Sequence, residues 1–149
     1  MKTSAGLIMY KRTPGLQLFL VHPGGPFWKN KDKQAWSIPK GEVRQGEDLL
    51  EAAKREFKEE TGIEPKGRFI SLGSVRQRVK TVHAWAFEGD WKGILGKQEM
   101  IKIEFPPHSG KKIKVPEIDQ ARFFPVKDAR DKMVAAQTEF IKRIEELVL

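Results

Sequence analysis

The 149-residue chain contains no cysteine. That absence excludes disulfide scaffolds, thiolate zinc sites, iron–sulfur clusters and cysteine nucleophiles together. No apolar run approaches the ~20 residues of a membrane span. Met1-Lys2-Thr3 leads straight into Ala5-Gly6-Leu7-Ile8-Met9-Tyr10, too short a stretch for the apolar region and cleavage site of a signal peptide. Histidine occurs three times, at His22, His83 and His108, with no metal-binding spacing around any of them. There is no repeat, no low-complexity tract and no linker rich enough to divide domains. The expectation is one domain over residues 1–149 in a soluble, cytoplasmic protein without a membrane partner.

What the chain does have is aromatic side chains and positive charge. Nine Phe and four Trp argue against disorder. Twenty-eight Lys and Arg against twenty Asp and Glu leave a formal charge of +8. An excess of that size suggests an anionic partner, either nucleic acid or a phosphorylated small molecule. The charge is uneven. Between Glu42 and Glu60 seven acids meet four bases, a local −3, so the remainder carries +11. The plain reading of such a stretch is a solvated helix with ion pairs one turn apart.

The pattern along the chain predicts strands over 5–11 and 17–22 joined by a turn at Thr13-Pro14-Gly15. Pro23-Gly24-Gly25-Pro26 ends the second strand, and a Lys-rich loop to Gln34 carries Phe27 and Trp28. A short extended piece over 35–39 precedes a helix opened near Asp48 and closed by Thr61-Gly62. Further strands are expected over 68–75, 81–87, 101–105, 112–115 and 121–124, and one helix over 128–149. This is a mixed α/β or α+β layer fold with helices covering a sheet.

Projection of the central helix at about 100° per residue gives the acidic stretch a second meaning. With Leu49 at zero, Ala53, Phe57, Leu50 and Ala52 define an apolar arc, and Glu60 at ~20° and Glu56 at ~340° fall inside it. Glu59 lies just beside it near ~280°. Buried carboxylates are costly and seek a partner. A divalent cation would relieve the burial and the mutual repulsion of three glutamates. Oxygen-only donors favour Mg²⁺ or Mn²⁺ over Zn²⁺. The competing reading is that Arg55 or another base simply pairs with these acids.

The same stretch carries a resemblance. Gly41, Glu47, Arg55, Glu56, Phe57, Glu59, Glu60, Gly62 and Ile63 fill every specified position of the Nudix box, over residues 41–63. Seven fixed identities would recur by chance in a chain of this length roughly once in a million. The flanking strand pattern also resembles a Nudix hydrolase domain, of the MutT-like type and most similar to dinucleoside polyphosphate hydrolases. The resemblance implies an α/β/α sandwich with a mixed sheet between helices. It implies Glu56, Glu59 and Glu60 as metal ligands, joined by a carbonyl at Lys40 or Gly41. Catalytic roles then fall to Arg55, Glu56 and Glu59, with Glu47 bracing the loop and Gly62 capping the helix. Gly41 and Gly62 also have ordinary readings as turn and cap residues.

Many relatives use one more acid beyond the box, and Glu117 is the expected one here, with Glu99 and Glu104 as alternatives. Substrate contacts are expected from Lys40, Trp36, Trp28, Lys80 and His83. Phe27 and Phe124 are weaker candidates, Phe124 also reading as core. His22 and His108 read as structural or exposed. The segment 105–112 either closes over polyphosphate or is only a hairpin tip. The function implied is metal-dependent cleavage of a nucleoside polyphosphate, leaning to diadenosine tetraphosphate. The alternatives are a pool-sanitising nucleoside triphosphate pyrophosphatase, an RNA 5′-end pyrophosphohydrolase, and a non-catalytic nucleotide-binding domain. Nucleic acid stays a minority partner.

Overall fold

The computed structural model describes residues 2–93, 95 and 100–148. The strands are β1 (Lys2–Lys11), β2 (Gln17–Pro23), β3 (Lys40–Glu42), β4 (Ile70–Gln77), β5 (Lys80–Glu88), β6 (Met100–Glu104), β7 (Lys112–Pro116) and β8 (Ile118–Pro125). The helices are α1 (Leu49–Thr61), α2 (Val126–Lys132) and α3 (Glu139–Val148), with a 3₁₀ turn at Ala135–Gln137. One mixed sheet runs β4-β5-β1-β2-β8, with β3 on β1; β6 and β7 form a separate hairpin. β1 is parallel to β5 and antiparallel to β2 and β3. Among the described residues no helix is long and apolar enough to cross a membrane.

Side-chain alternation sorts the core into two layers, because successive strand residues point to opposite faces. Ala5, Leu7 and Met9 of β1 join Phe19, Ala52, Ala53 and Phe57 under α1. Ile8 and Tyr10 join Leu18, Leu20, Trp36 and Ile38 under α2 and α3. Both sheet faces are therefore covered, which is the expected α/β/α sandwich.

The central strand opens the site. β1 pairs with β2 only at its C-terminal end, through Tyr10 and Lys11. Its N-terminal half pairs with β3 through Ser4, Ala5 and Gly6. The segment 37–39 fills the wedge. Leu7 N–H donates to the Pro39 carbonyl at 3.2 Å, and Val21 and Ser37 exchange backbone hydrogen bonds at 2.8 and 2.9 Å. A β-carbon on Gly6 would lie 2.6 Å from the Pro39 oxygen, so this approach needs glycine. The wedge delivers Lys40 and Gly41 against α1.

The expected C-terminal helix over 128–149 is broken. Met133 is extended, with Met133 bridging Trp36, and Val134 N–H donates to the Trp36 carbonyl at 2.8 Å. The apolar spacing is helical on both sides of the break. Pairing with the inserted segment satisfies the backbone there as well as a helix would, and buries Met133 completely.

Trp36 is a core residue and not a substrate contact: it is 1% exposed. Its ring meets Phe124 edge-on at 4.8 Å, and its indole N–H donates to Asp32 at 3.0 Å. Trp36→Ala should cost about 3–5 kcal/mol. Urea unfolding with an unchanged slope and a midpoint loss worth under 1 kcal/mol would contradict that placement.

Candidate active site at the β3–α1 junction

Helix α1 is built as its sequence requires. Asp48 is the N-cap, its carboxylate accepting from Glu51 N–H at 3.1 Å. Gly62 closes the helix in the left-handed conformation at φ 75°, where a β-carbon is penalised. The buried face is Ala52, Ala53, Phe57, Glu60 and Thr61, so the inward direction of Glu60 follows from the apolar arc.

Arg55 organises the exposed side of the junction. Its Nε and Nη2 donate to both oxygens of Glu47, at 2.8 and 3.0 Å. Its Nη1 donates to Glu56 at 2.7 Å and to Glu59 at 3.3 Å, and Nη2 also reaches the Glu42 carbonyl at 3.1 Å. Glu47 in turn accepts from Arg44 N–H at 3.0 Å, which braces the loop between β3 and α1. The Arg55 guanidinium, helped by that backbone N–H, pulls the Glu47 carboxyl down to about 2. Arg55 itself is held even more firmly charged by Glu47. The pairing of Arg55 with the acids is therefore real, but it involves Glu47, Glu56 and Glu59 and leaves Glu60 out.

Glu60 sits on the inner side, 6% exposed, and its Oε1 accepts Lys40 N–H at 3.1 Å. Burial pushes its pKa well above the ordinary glutamate range, and the Glu117 and Glu56 charges push the same way against Lys40. Burial and the neighbouring Lys80 pull the Lys40 ammonium down to about 8, while Glu60 and Glu117 oppose that shift. Lys40, Glu60 and Glu117 line one cavity of about 280 Å³, together with Trp28, Ser37 and Gln77. Residues from β3, α1 and the junction of β7 with β8 thus meet at one place.

Gly41 explains how Glu56 fits. A β-carbon there would lie 2.0 Å from the Glu56 carboxyl carbon, so the carboxylate lies in a cradle that any other residue would fill. Among the described residues no three acidic or histidine side chains are already gathered to enclose a metal ion. The donor chemistry nonetheless suits a divalent cation. The oxygens of Glu56, Glu59 and Glu60, the Gly41 carbonyl and Glu117 are hard ligands, and the buried Glu60, repelled by Glu117 and Glu56, gains most from a cation. Glu56 and Glu59 would exchange part of their Arg55 contact for it.

Other expected site residues are distributed differently. Trp28 lines the cavity. Lys80 lies close enough to shift Lys40 and lines an adjoining cavity of about 640 Å³ with Gln77 and Arg78. His83 does not join Lys80. The two are three apart on β5 and face opposite sides, and His83 pairs with Ala5 of the α1 layer. Phe124 is buried against Trp36, as its core reading expected. His22 is structural: Nδ1 lies 2.8 Å from Asp119 and Nε2 lies 2.6 Å from the Lys31 carbonyl, pinning the 27–34 loop. Glu104 turns inward to its own hairpin, accepting His108 and Gly110 N–H at 3.0 Å each. His108 is exposed. Glu99 lies outside the described residues.

The sequence reading missed the amides. Gln137 is fully buried; its Nε2 donates to Ser37 Oγ at 3.0 Å and Gln77 Oε1 at 3.1 Å, and its Oε1 accepts Ile38 N–H at 3.0 Å. It ties the 3₁₀ turn to the segment that presents Lys40. A polar residue inside an otherwise amphipathic pattern was the only available signal. Gln137→Leu strands the Ile38 N–H and should cost about 1–3 kcal/mol. A thermal melt indistinguishable from wild type would show that the network is dispensable.

Comparison with known proteins agrees with this geometry. A family model described as the NUDIX domain matches residues 2–144. An RNA pyrophosphohydrolase of Caulobacter vibrioides is 44% identical over 55 residues, 34% of this chain and 32% of that protein. The chain thus spans about a third of that relative's length. An RNA pyrophosphohydrolase of Rhodopseudomonas palustris is 30% identical over 106 residues, 70% of this chain and 61% of the relative. A mouse asymmetrical bis(5′-nucleosyl)-tetraphosphatase is 45% identical over 60 residues, 36% of this chain and 41% of the relative. Among solved structures, an Ap4A hydrolase binary complex from C. elegans superposes with TM-score 0.66 at 21% identity, covering 99% of this chain and 98% of that one.

Proposed function

This chain belongs to the NUDIX family, and from that membership we propose that it is a Mg²⁺- or Mn²⁺-dependent pyrophosphohydrolase that cleaves a phosphoanhydride bond of a nucleoside polyphosphate. The observation that carries the proposal is the buried Glu60, set beside Lys40 and Glu117 in a cavity against the last turn of α1. A buried carboxylate with a second acid in range is a costly arrangement for structure alone and a useful one for holding a cation against a polyanion.

Glu56, Glu59, Glu60, Glu117 and the Gly41 carbonyl would hold the metal. When bound, it supplies charge neutralisation of the phosphates and a lowered pKa for water. The chain's own residues do the rest. Lys40 meets phosphate as a point charge, and an approaching anion favours the charged form that burial and Lys80 disfavour. Arg55, fixed by Glu47 through a fork of two bonds, holds Glu56 and Glu59 in position. Trp28 walls the cavity. A cytoplasmic location, where nucleotide substrates are abundant, is part of the same proposal.

Diadenosine tetraphosphate is the leading substrate, supported by the sequence likeness to the mouse tetraphosphatase. Triphosphorylated RNA is the second reading, favoured by the RNA pyrophosphohydrolase relatives and the +8 charge. A panel of diadenosine polyphosphates, nucleoside triphosphates, ADP-ribose and triphosphorylated RNA with Mg²⁺ tests both. Turnover of the dinucleotide at the highest kcat/KM is expected. Turnover of none, with Mg²⁺ or Mn²⁺, would leave only a nucleotide-binding domain.

A further inference from the structure

The β6–β7 hairpin stands apart from the main sheet, and its inner face is not closed off as a core. Ile101 pairs with Val115 and Ile103 with Ile113, so these four share one face. That face meets the 23–28 loop: a β-carbon on Gly25 would touch Val115 and Ile103 at 3.3 and 3.4 Å. Six large apolar side chains are exposed among the described residues, and four of them, Phe27, Met100, Ile101 and Ile113, lie on this loop or hairpin. Exposed apolar surface concentrated in one place marks a binding site more often than chance.

Between loop and hairpin lies a cavity of about 290 Å³. Its walls include Phe27, Trp28 and Phe105, with Ile101 and Ile103 behind them. Phe27 and Trp28 stand at 85° with ring centroids 5.0 Å apart, which makes a right-angled aromatic corner. A flat ring stacked on either meets the edge of the other, the two favoured aromatic geometries. Lys31 Nζ lies over one face of Phe27, 3.7 Å from its centroid, and brings positive charge to the same corner, so stacking on Phe27 uses its other face or displaces the ammonium. Phe105 lines the same cavity from a hydrogen-bonded tip. Phe105 N–H donates to the Lys111 carbonyl at 3.0 Å, and both oxygens of Glu104 accept backbone N–H groups of the tip.

This cavity adjoins the candidate active site. Pro23, Trp28 and Glu117 line both. Its volume falls just under the ~300–1,000 Å³ of whole-ligand pockets, which suits one ring system and not an entire nucleotide. The cavity on the other side, with Arg78 and Lys80, has Trp28 as its one aromatic wall and suits anionic or sugar groups better. The hairpin's outer face adds charge: Lys102 lies directly opposite Lys114. Like charges so placed repel, and they lie on the face turned away from the cavity.

We infer that the corner formed by Phe27, Trp28 and Phe105 is a nucleobase subsite, holding the base of the nucleotide whose phosphates lie at Lys40, Glu60 and Glu117. This deepens the proposed nucleotide hydrolase and rests on that reading for the position of the phosphates. The base stacks in the corner, and the phosphate chain runs past Glu117 and on toward Lys80. Recognition by stacking is tolerant of base identity, because every base has a π face, so the subsite distinguishes nucleotides from bare polyphosphate more than one base from another.

The test is calorimetric titration of the full chain with two probes: an ATP analogue carrying methylene groups at both anhydride positions, and inorganic tripolyphosphate. The wild type should bind the analogue about tenfold or more tighter than tripolyphosphate. Phe27→Ala, at a position 51% exposed, should lose most of that preference, and Phe105→Leu part of it, while Phe27→Tyr keeps it. Equal affinity of the wild type for both probes, or an undiminished preference in Phe27→Ala, would overturn the subsite. The parent reading fails separately. If the preference tracks the Phe27 variants but no nucleoside polyphosphate is turned over, the subsite stands and the hydrolase does not.

Discussion

Glu60→Gln is expected to lower kcat/KM for the best nucleoside polyphosphate on the order of 10³-fold. The figure follows from several kcal/mol of transition-state charge stabilisation by a bound metal, at about 1.36 kcal/mol per factor of ten. Glutamine keeps the volume and can still accept the Lys40 N–H, which lies 3.1 Å from the carboxylate, so the fold should survive. Stability supplies a second readout. The folded-state pKa of Glu60 lies above its unfolded value, because burial and Glu117 disfavour the charge. Its favourable contribution is then complete below the ordinary glutamate value of about 4.3 and is lost as the pH rises through the higher folded value. Glutamine does not titrate. In metal-free buffer the variant should gain in Tm relative to wild type as the pH rises above the ordinary glutamate value of about 4.3. Addition of Mg²⁺ should stabilise wild type at high pH and leave the variant nearly unmoved. Near-normal turnover would refute an essential role, and a Tm difference independent of pH would refute the buried charge.

Gly41→Ala should damage activity much more than stability. The added methyl group would fall 2.0 Å from the Glu56 carboxyl carbon and 2.1 Å from one of its oxygens. Both are the far end of a flexible side chain, so the clash resolves by swinging the carboxylate away and not by moving α1. That displacement breaks the 2.7 Å bond from Arg55 and moves an oxygen of a proposed metal ligand. Misplacement of a reacting group by about 1 Å costs roughly 10²-fold in rate, and a loss of that order in kcat/KM is expected. The melting temperature should fall by only a few degrees, the equivalent of roughly 1 kcal/mol for a domain of this size. Gross unfolding would mean that the cradle is a structural contact between β3 and α1. Full activity would mean that Glu56 works from a different position.

The two variants separate roles that the primary structure merges. Glu56, Glu59 and Glu60 lie within one turn and look equivalent as a cluster of acids. In the folded chain Glu56 and Glu59 share Arg55 at the rim, and Glu60 alone reaches the cavity with Lys40 and Glu117. Loss of Arg55 would free the first two, and loss of Glu60 would empty the third position.

By itself the amino-acid order determined what depends on near neighbours. The span and caps of α1, the inward aim of Glu60, the bracing of the loop by Glu47 and the layered α/β class all follow from periodicity, capping residues and a 23-residue motif whose members lie within a few turns of one another. Tertiary structure decided what depends on distant ones. Trp36, adjacent in the chain to the motif and a plausible contact for substrate, went to the core because Phe124 and Met133 come from the far end to cover it. The last helix broke because its Met133–Val134 backbone found partners at Trp36. Lys80 and His83 parted because a strand turns neighbours three apart to opposite faces. Lys40, Glu60 and Glu117 met although they come from β3, α1 and the junction of β7 with β8, and the shifts at Lys40 and Glu60 exist only in that meeting. Local hydrogen bonds and side-chain spacing act over a few residues and can be read along a line. Burial is a property of the whole packed chain, and it is burial that turned an ordinary glutamate into the candidate centre of this site.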